Sequence, residues 1–262
     1  MSLKNKKYIL IFIICTSIIA KAYPGDTAAF NKSNRYRISV SAGPAIPFFN
    51  FGSPGSASSK NQYDSSYNGY AKTGFHLAIN AEYFLSPHAA VKASFGWNTN
   101  SFNTTAYNNS IFYNEPGMAS VSANSYNSWE YMVGFFLTTP FKSYPSKVSL
   151  NFSVMGGCFS SNFPTIVTTF SQTATQQAGI STLTANSAQG LMGNIGFGIQ
   201  YKINGHLFAS MEVSFTLTYL EFTSALYTET IQGNQPISTT PGNPPDVWVG
   251  LIKPAIGVGY IF

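Results

Sequence analysis

Seven charged side chains carry most of the chemistry that the body of this sequence could perform: Arg37, Glu82, Lys92, Glu130, Lys202, Glu212 and Lys253. Each sits where large apolar residues alternate with small or polar ones, and each belongs to the small-or-polar set, so a period-two fold gathers them on one face. Opposite signs recur on neighbouring stretches. Such a set could gate a pore or carry protons. The expectation here is a salt-bridged plug, because isolated charges in a tight interior are costly and pairing offsets that cost. If Ser86-Pro87-His88 is a three-residue turn, Leu85 pairs with Ala89 and Glu82 falls directly opposite Lys92.

Other chemistry is sparse. His76 is the one histidine within such a stretch, with Asp64 and several serines before it, while His88 and His206 lie in turn sequences. Catalysis by a side-chain nucleophile needs a base and an orienting group beside it, and no spacing in the chain supplies all three. Cys15 lies in the N-terminal apolar run, so once that run is removed Cys158 is the single thiol, and neither an internal disulfide nor a thiolate metal cluster can form. Cys158 shares parity with the apolar set, as a small hydrophobe would. The glycines from Gly190 to Gly198 and the pair Asn204-Gly205 precede no helical pattern, so packing on strand faces is expected, not a phosphate loop. No catalytic residue, metal ligand or cofactor is assigned.

The elements that must position these residues are strands. Tyr36, Ile38, Val40 and Ala42 oppose Arg37, Ser39 and Ser41; Phe75, Leu77, Ile79, Ala81 and Tyr83 oppose His76, Ala78, Asn80 and Glu82. Six more stretches repeat the pattern, around Lys92, Glu130, Asn151, Gly196, Glu212 and Lys253, which makes eight. Ser86-Pro87-His88, Phe141 to Ser146 and Asn204-Gly205-His206 read as tight turns. Between them fall four long connections, 44–73, 99–125, 159–187 and 221–245, too many for a compact soluble domain.

Composition narrows the class. The 262 residues hold 14 basic and 9 acidic side chains but 22 Phe, 16 Tyr and 3 Trp, which argues against disorder. After the N-terminal stretch no run approaches the roughly 18 apolar residues of a spanning helix. A lipocalin-like soluble barrel would need a charged exterior, whereas the polar set here is mostly Gly, Ser, Ala, Asn and Thr, small enough to line a narrow lumen. Rings of the apolar set cluster at strand ends: Phe75, Trp97, Trp129, Tyr219 and Trp248 near the long connections, and Tyr36, Tyr83, Tyr201, Tyr260 and Phe262 near the short turns. Two such belts match the interfaces of a bilayer.

Export is expected as well. Lys4, Lys6 and Lys7 precede the apolar run Tyr8 to Ala20, and Ala20-Lys21-Ala22 places small residues where a signal peptidase reads them. Residues 1–22 are therefore expected to be a cleaved signal and 23–34 a short periplasmic segment before the barrel, 35–262. Without Lys4, Lys6, Lys7 and Lys21 the chain has 10 basic against 9 acidic residues, so no nucleic-acid footprint remains.

Ile256, Val258, Tyr260 and Phe262, alternating apolar residues that end on a C-terminal Phe, resemble the assembly signal of outer-membrane barrels. From Arg35 to Phe262 the pattern is similar to the OmpA/OmpX-type small barrels of the outer membrane protein β-barrel domain group. The resemblance implies an all-β fold, an eight-stranded antiparallel up-and-down transmembrane β-barrel in the cell outer membrane, in contact with outer-membrane lipid and the barrel assembly machinery. Enzymes occur in this architecture, but the His-x-Ser arrangement of its deacylases follows none of His76, His88 and His206. Pro254 departs from a regular final strand, and a bulge is expected there.

The expected function is a non-enzymatic anchor whose loops serve surface binding, adhesion or envelope integrity; the alternatives are a lipid-modifying barrel enzyme or a narrow channel for small or apolar solutes. The loops interleave rings with Asn, Ser, Thr and Gly, as in Tyr63 to Tyr70 and Phe102 to Asn109. That is the chemistry of paratopes and sugar-binding surfaces, and the scarcity of charge favours glycan or protein over anionic ligands.

Overall fold

The computed structural model describes residues 35–53, 69–111, 119–140, 147–171, 178–222, 225–231, 238–242 and 246–262. The expected signal and the segment after it, Asp64 and the turn expected at 141–146 lie outside the described residues. In chain order the strands are β1 (Tyr36–Phe48), β2 (Gly74–Ser86), β3 (Ala89–Asn100), β4 (Ala119–Ala123), β5 (Tyr126–Pro140), β6 (Val148–Ser161), β7 (Ile166–Phe170), β8 (Gly179–Thr184), β9 (Ala188–Lys202), β10 (Leu207–Glu221), β11 (Ala225–Ile231), β12 (Ser238–Gly242) and β13 (Asp246–Ile261). Two short helices, α1 (Phe49–Gly52) and α2 (Thr104–Ile111), lie in the connections.

Eight strands close an antiparallel barrel in the order β1-β2-β3-β5-β6-β9-β10-β13, with β13 returning to β1. Each pairs with the barrel strands before and after it in sequence, which is the up-and-down arrangement the alternation calls for. The pleat sends large apolar side chains outward along every strand: Ile38, Ile79, Phe95, Val133, Phe197, Phe215 and Val258 are all exposed. The two short turns that are described are each closed by a side-chain acceptor. Ser86 Oγ accepts from the N–H of His88 and Ala89, and Asn204 Oδ1 accepts from those of His206 and Leu207.

The long connections are more ordered than their composition implies. β1 does not stop at Pro44 but runs through Pro47 to Phe48, since Pro44 and Pro47 keep extended backbone. Three of the four connections also contribute strands to a second antiparallel sheet, in the order β4-β7-β8-β11-β12. β4 leads into β5, β7 follows β6, β8 leads into β9, β11 follows β10 and β12 leads into β13. Their order around the sheet is therefore that of the barrel wall from β5 to β13. Five strands of the wall resume beyond a short break as an open sheet, a hood over one end of the barrel.

Two local expectations need correction. Ser86, not Leu85, pairs with Ala89, and the register shifts between Phe84 and Ser86; Leu85 is bulged out, which shortens the turn while leaving Glu82 opposite Lys92. No bulge forms at Pro254, where Val213↔Pro254 continues the β10 ladder. On its other side, β13 pairs with β1 from Ala42↔Ile256 and again from Ile46↔Ile252 without a change of register. Pro44 and Pro254 face each other in the lapse, two residues in from each pair. Neither has an N–H to give, so the ladder skips the position instead of gaining a residue. The strands stay close there: a Cβ on Gly43 would collide with the Pro254 carbonyl oxygen.

Candidate functional site

The lumen is layered. At the short-turn end Phe84, Phe136 and Phe208 are buried, with Phe84 edge-on to Phe136 at 6.1 Å between ring centroids. The Arg37 guanidinium lies 4.0 Å over the Phe84 ring and donates from Nη1 to Gln200 Oε1 at 3.0 Å. These residues share the inward parity with the small ones, so the interior is not uniformly small and polar; at its mouth, rings close it.

Above them sits the charged layer. Lys92 Nζ donates to Glu212 Oε2 at 3.0 Å and Oε1 at 3.3 Å. Lys253 Nζ donates to both oxygens of Glu130, at 2.6 and 2.8 Å, and both residues are withdrawn from solvent, Glu130 0% and Lys253 1% exposed. Asn98 Nδ2 donates to Glu130 Oε1 at 2.8 Å, while Asn98 Oδ1 lies 2.7 Å from His76 Nδ1. The amide oxygen can only accept, so Nδ1 carries the proton in this bond. His76, Asn98, Glu130 and Lys253 thus form one chain of hydrogen bonds. A cavity of about 20 Å³ opens among Ser41, His76, Asn80, Asn194, Glu212 and Lys253, room for about one water molecule.

Lys92, Glu130, Glu212 and Lys253 are ion-paired in the lumen, and Arg37 is held by a ring and an amide. Glu82 is buried opposite Lys92, but Lys92 bonds to Glu212 instead, and Glu82 Oε2 has no hydrogen-bond partner among the described residues. Lys202 does not join the layer: it is exposed at the end of β9, one step past the last enclosed residue, Gln200.

Towards the hood the lumen becomes an apolar core. Tyr126, Phe159, Leu220, Val247, Val249 and Leu251 from the barrel pack with Phe51 of α1 and with Tyr70, Phe102 and Phe163. Val121, Ala123, Ile166 and Leu183 of the hood join the same cluster. Tyr126 Oη donates to the Gly69 carbonyl at 2.7 Å, and Asn100 Nδ2 reaches the carbonyls of Ala45 and Lys72, both at 2.9 Å. Tyr70 and Phe102 were expected in exposed recognition loops. They are buried instead, because the hood leaves the β1-β2-β3 side of the barrel end to be closed by connections, and only large rings fill it.

On the outside, exposed rings gather towards both ends of the barrel strands. Tyr36 packs on Tyr83 and Tyr260 on Phe262 near the short turns; Phe75, Trp97 and Trp129 form a contiguous group, and Tyr219 lies against Trp248, near the hood. Tyr201 is exposed on the same outer face, and so are Ile256 and Val258 of the terminal strand. Cys158 is exposed on the outer face towards the hood end of β6, opposite Tyr131 and Leu191.

A closed eight-stranded barrel with an apolar outer face is the architecture of small outer-membrane barrels. In fold, this chain is one of that kind. No protein-family model matches the sequence, and no curated protein matches it. Solved structures similar to it include a major outer membrane protein from Thermus thermophilus (15% identity, 87% of this chain and 99% of that one, TM-score 0.43). They also include Ail, the attachment invasion locus protein of Yersinia pestis (13%, 88% and 99%, 0.39), and the outer membrane protease OmpT from Escherichia coli (8%, 90% and 100%, 0.33).

No helix among the described residues is long and apolar enough to cross a membrane. The barrel strands, at 12 to 16 residues, exceed the roughly 9–11 that a tilted strand needs to do so.

Proposed function

We propose that the protein is a non-enzymatic outer-membrane barrel that conducts no solute and acts by holding the hood at the cell surface. The observation that carries this is the filled interior beneath an ordered sheet: rings, paired charges and an apolar core succeed one another along the lumen, and the exposed architecture lies above them. Outer-membrane lipid covers the apolar face, with the ring clusters at its two interfaces. The barrel assembly machinery inserts the chain through its terminal strand. Both barrel termini and the short turns face the periplasm, and the hood faces outward.

The hood offers an uncharged surface. Its five strands contain one charged residue, Glu229, and its outward parity mixes hydroxyls, among them Ser120, Ser122, Thr169, Thr182 and Thr184, with the exposed apolar side chains of Ile180 and Leu226. That chemistry supports contact with glycan or protein and gives no purchase to nucleic acid or other polyanions.

Two measurements test this reading. An epitope tag placed between Gly242 and Asp246 is expected to bind antibody on intact cells, whereas a tag at Asn204-Gly205 is expected to bind only after the outer membrane is permeabilised; the reverse pattern overturns the orientation. Purified protein in planar bilayers is expected to give no stable large single-channel currents, since eight strands leave an interior that side chains fill. Sustained conductance contradicts the closed lumen.

A further inference from the structure

The chain contains two Asn-Gly pairs, Asn68-Gly69 and Asn204-Gly205, and the fold treats their glycine nitrogens differently. Asn followed by Gly leaves the side-chain carboxamide most open to attack by the next peptide nitrogen, because glycine has no Cβ to hinder the approach. Gly69 is withdrawn from this chemistry. Its N–H donates to the Asn50 carbonyl at 2.7 Å, and it is buried against Phe51, whose carbonyl oxygen a Cβ on Gly69 would meet at 2.7 Å. Gly205 is exposed, its N–H bonds to no partner among the described residues, and nothing lies within 4 Å of where its Cβ would be.

The short turn between β9 and β10 also prepares the electrophile. Asn204 Oδ1 accepts from the N–H of His206 at 2.8 Å and from that of Leu207 at 2.7 Å. Both bonds turn the carboxamide towards the backbone that follows it, where the Gly205 nitrogen comes first, and both draw electron density away from Cγ. Two N–H groups on one carbonyl oxygen are the arrangement that stabilises an oxyanion. These donors are fixed to the barrel wall. The His206 carbonyl accepts from the Ile261 N–H at 2.7 Å, His206 Nδ1 donates to the Ile261 carbonyl at 3.0 Å, and the ring stacks on Tyr260 at 5.4 Å between centroids. Leu207 opens β10 opposite Tyr260, and its carbonyl accepts from the N–H groups of Ile203 and Asn204. Donors held in this way need no reorganisation when charge develops on the oxygen.

We propose that Asn204 is a modification site, a self-catalysed deamidation in which the β9–β10 turn acts as the oxyanion hole for its own side chain. The Gly205 nitrogen loses its proton to solvent base and attacks Asn204 Cγ. The new N–Cγ bond forms, the bond from Cγ to the carboxamide nitrogen breaks, and that nitrogen takes up a proton and leaves as ammonia. One water then opens the five-membered imide. Addition at Cγ gives an aspartyl residue and addition at the main-chain carbonyl gives its isoaspartyl isomer, so water enters, ammonia leaves, and nothing is oxidised or reduced. The aspartyl carboxylate still accepts from His206 and Leu207, now with charge assistance. The isoaspartyl form adds a methylene to the main chain and displaces the acceptor, which undoes the turn. Either product places a negative charge near the exposed Lys202, so an aged barrel differs from a newly assembled one at its short-turn end.

The test uses the full folded chain in detergent micelles, incubated at neutral and at mildly alkaline pH, with the same chain unfolded in urea as the reference. Proteolytic peptides spanning Asn68 and Asn204 are followed by mass, which rises as NH is exchanged for O, and by chromatographic separation of the isoaspartyl isomer. In the folded chain Asn204 is expected to convert about tenfold faster than Asn68, faster still at the higher pH, and at least as fast as it does in urea, where the two sites convert alike. Gly205→Ala, whose methyl group meets nothing in the turn, is expected to slow conversion of Asn204 by about tenfold through hindrance at the attacking nitrogen, and to leave the heat-dependent gel mobility of the barrel unchanged. An Asn204 that survives in the folded chain but converts in urea means that the turn protects its carboxamide, and overturns the inference. Equal rates at Asn68 and Asn204 in the folded chain overturn it as well, because the difference between the two glycine nitrogens would then play no part. The result holds whichever way the barrel faces in the membrane.

Discussion

Replacing Lys253 by methionine is expected to destabilise the barrel by roughly 3–5 kcal/mol, the usual cost of breaking a buried ion pair from one side. Lys253 is the only cation within bonding distance of Glu130 among the described residues, and Glu130 is fully buried. Without the ammonium, its carboxylate keeps a single neutral donor, Asn98 Nδ2, and must either remain charged in a low-dielectric interior or take up a proton. The double variant Lys253→Met with Glu130→Gln is expected to recover at least half of the loss. It carries no net buried charge, and the Gln oxygen still accepts from Asn98, so His76 stays anchored. Unfolding midpoints in urea, followed by tryptophan fluorescence in micelles and by the shift in gel mobility on heating, measure both effects. A single variant as stable as the parent would mean that water reaches Glu130 and that the lumen is more open than its packing indicates.

Replacing Phe262 by aspartate is expected to abolish assembly in cells while changing the folded barrel little. The side chain is 52% exposed on the outer face and touches Tyr260 at 4.9 Å between ring centroids. Its backbone N–H bonds to the Tyr36 carbonyl at 2.9 Å whatever the side chain. A charge near the membrane interface costs a barrel only about 0–1 kcal/mol, so refolding into detergent should proceed nearly as for the parent. In cells the variant is expected to accumulate in the periplasm, and Phe262→Tyr is expected to restore insertion. Equal failure in vitro and in cells would make Phe262 a packing residue and remove the assembly role.

The barrel was legible in the residues because a strand has only two faces. Once Glu82 and Lys92 are placed on inward parity, their opposition across β2 and β3 survives even a misjudged turn, since the bulge at Leu85 absorbs the difference. The hood was not legible. Ala119 to Ala123 and Ile166 to Phe170 are short, and their alternation is weak beside the Ser, Thr, Asn and Gly that surround them. What holds them as strands is the wall below, which delivers five chain segments side by side in a fixed order. Tyr70 and Phe102 read as surface rings for a related reason: they lie outside any periodic stretch, so nothing local says which way they face.

The chain pattern alone determined the number of barrel strands, the inward set of each and the apolar exterior, because all three depend on spacing along a pleated backbone. Tertiary structure decided the pairing within the lumen. Glu82 is the neighbour of Lys92 on the adjacent strand, yet Lys92 bonds to Glu212, 120 residues away, and Lys253 to Glu130, 123 residues away. Side chains on adjacent strands of a curved wall point inward nearly side by side, whereas closure brings strands from opposite sides of the wall to face each other across the axis. Long charged side chains meet where their tips converge, and that point exists only once the sheet has closed.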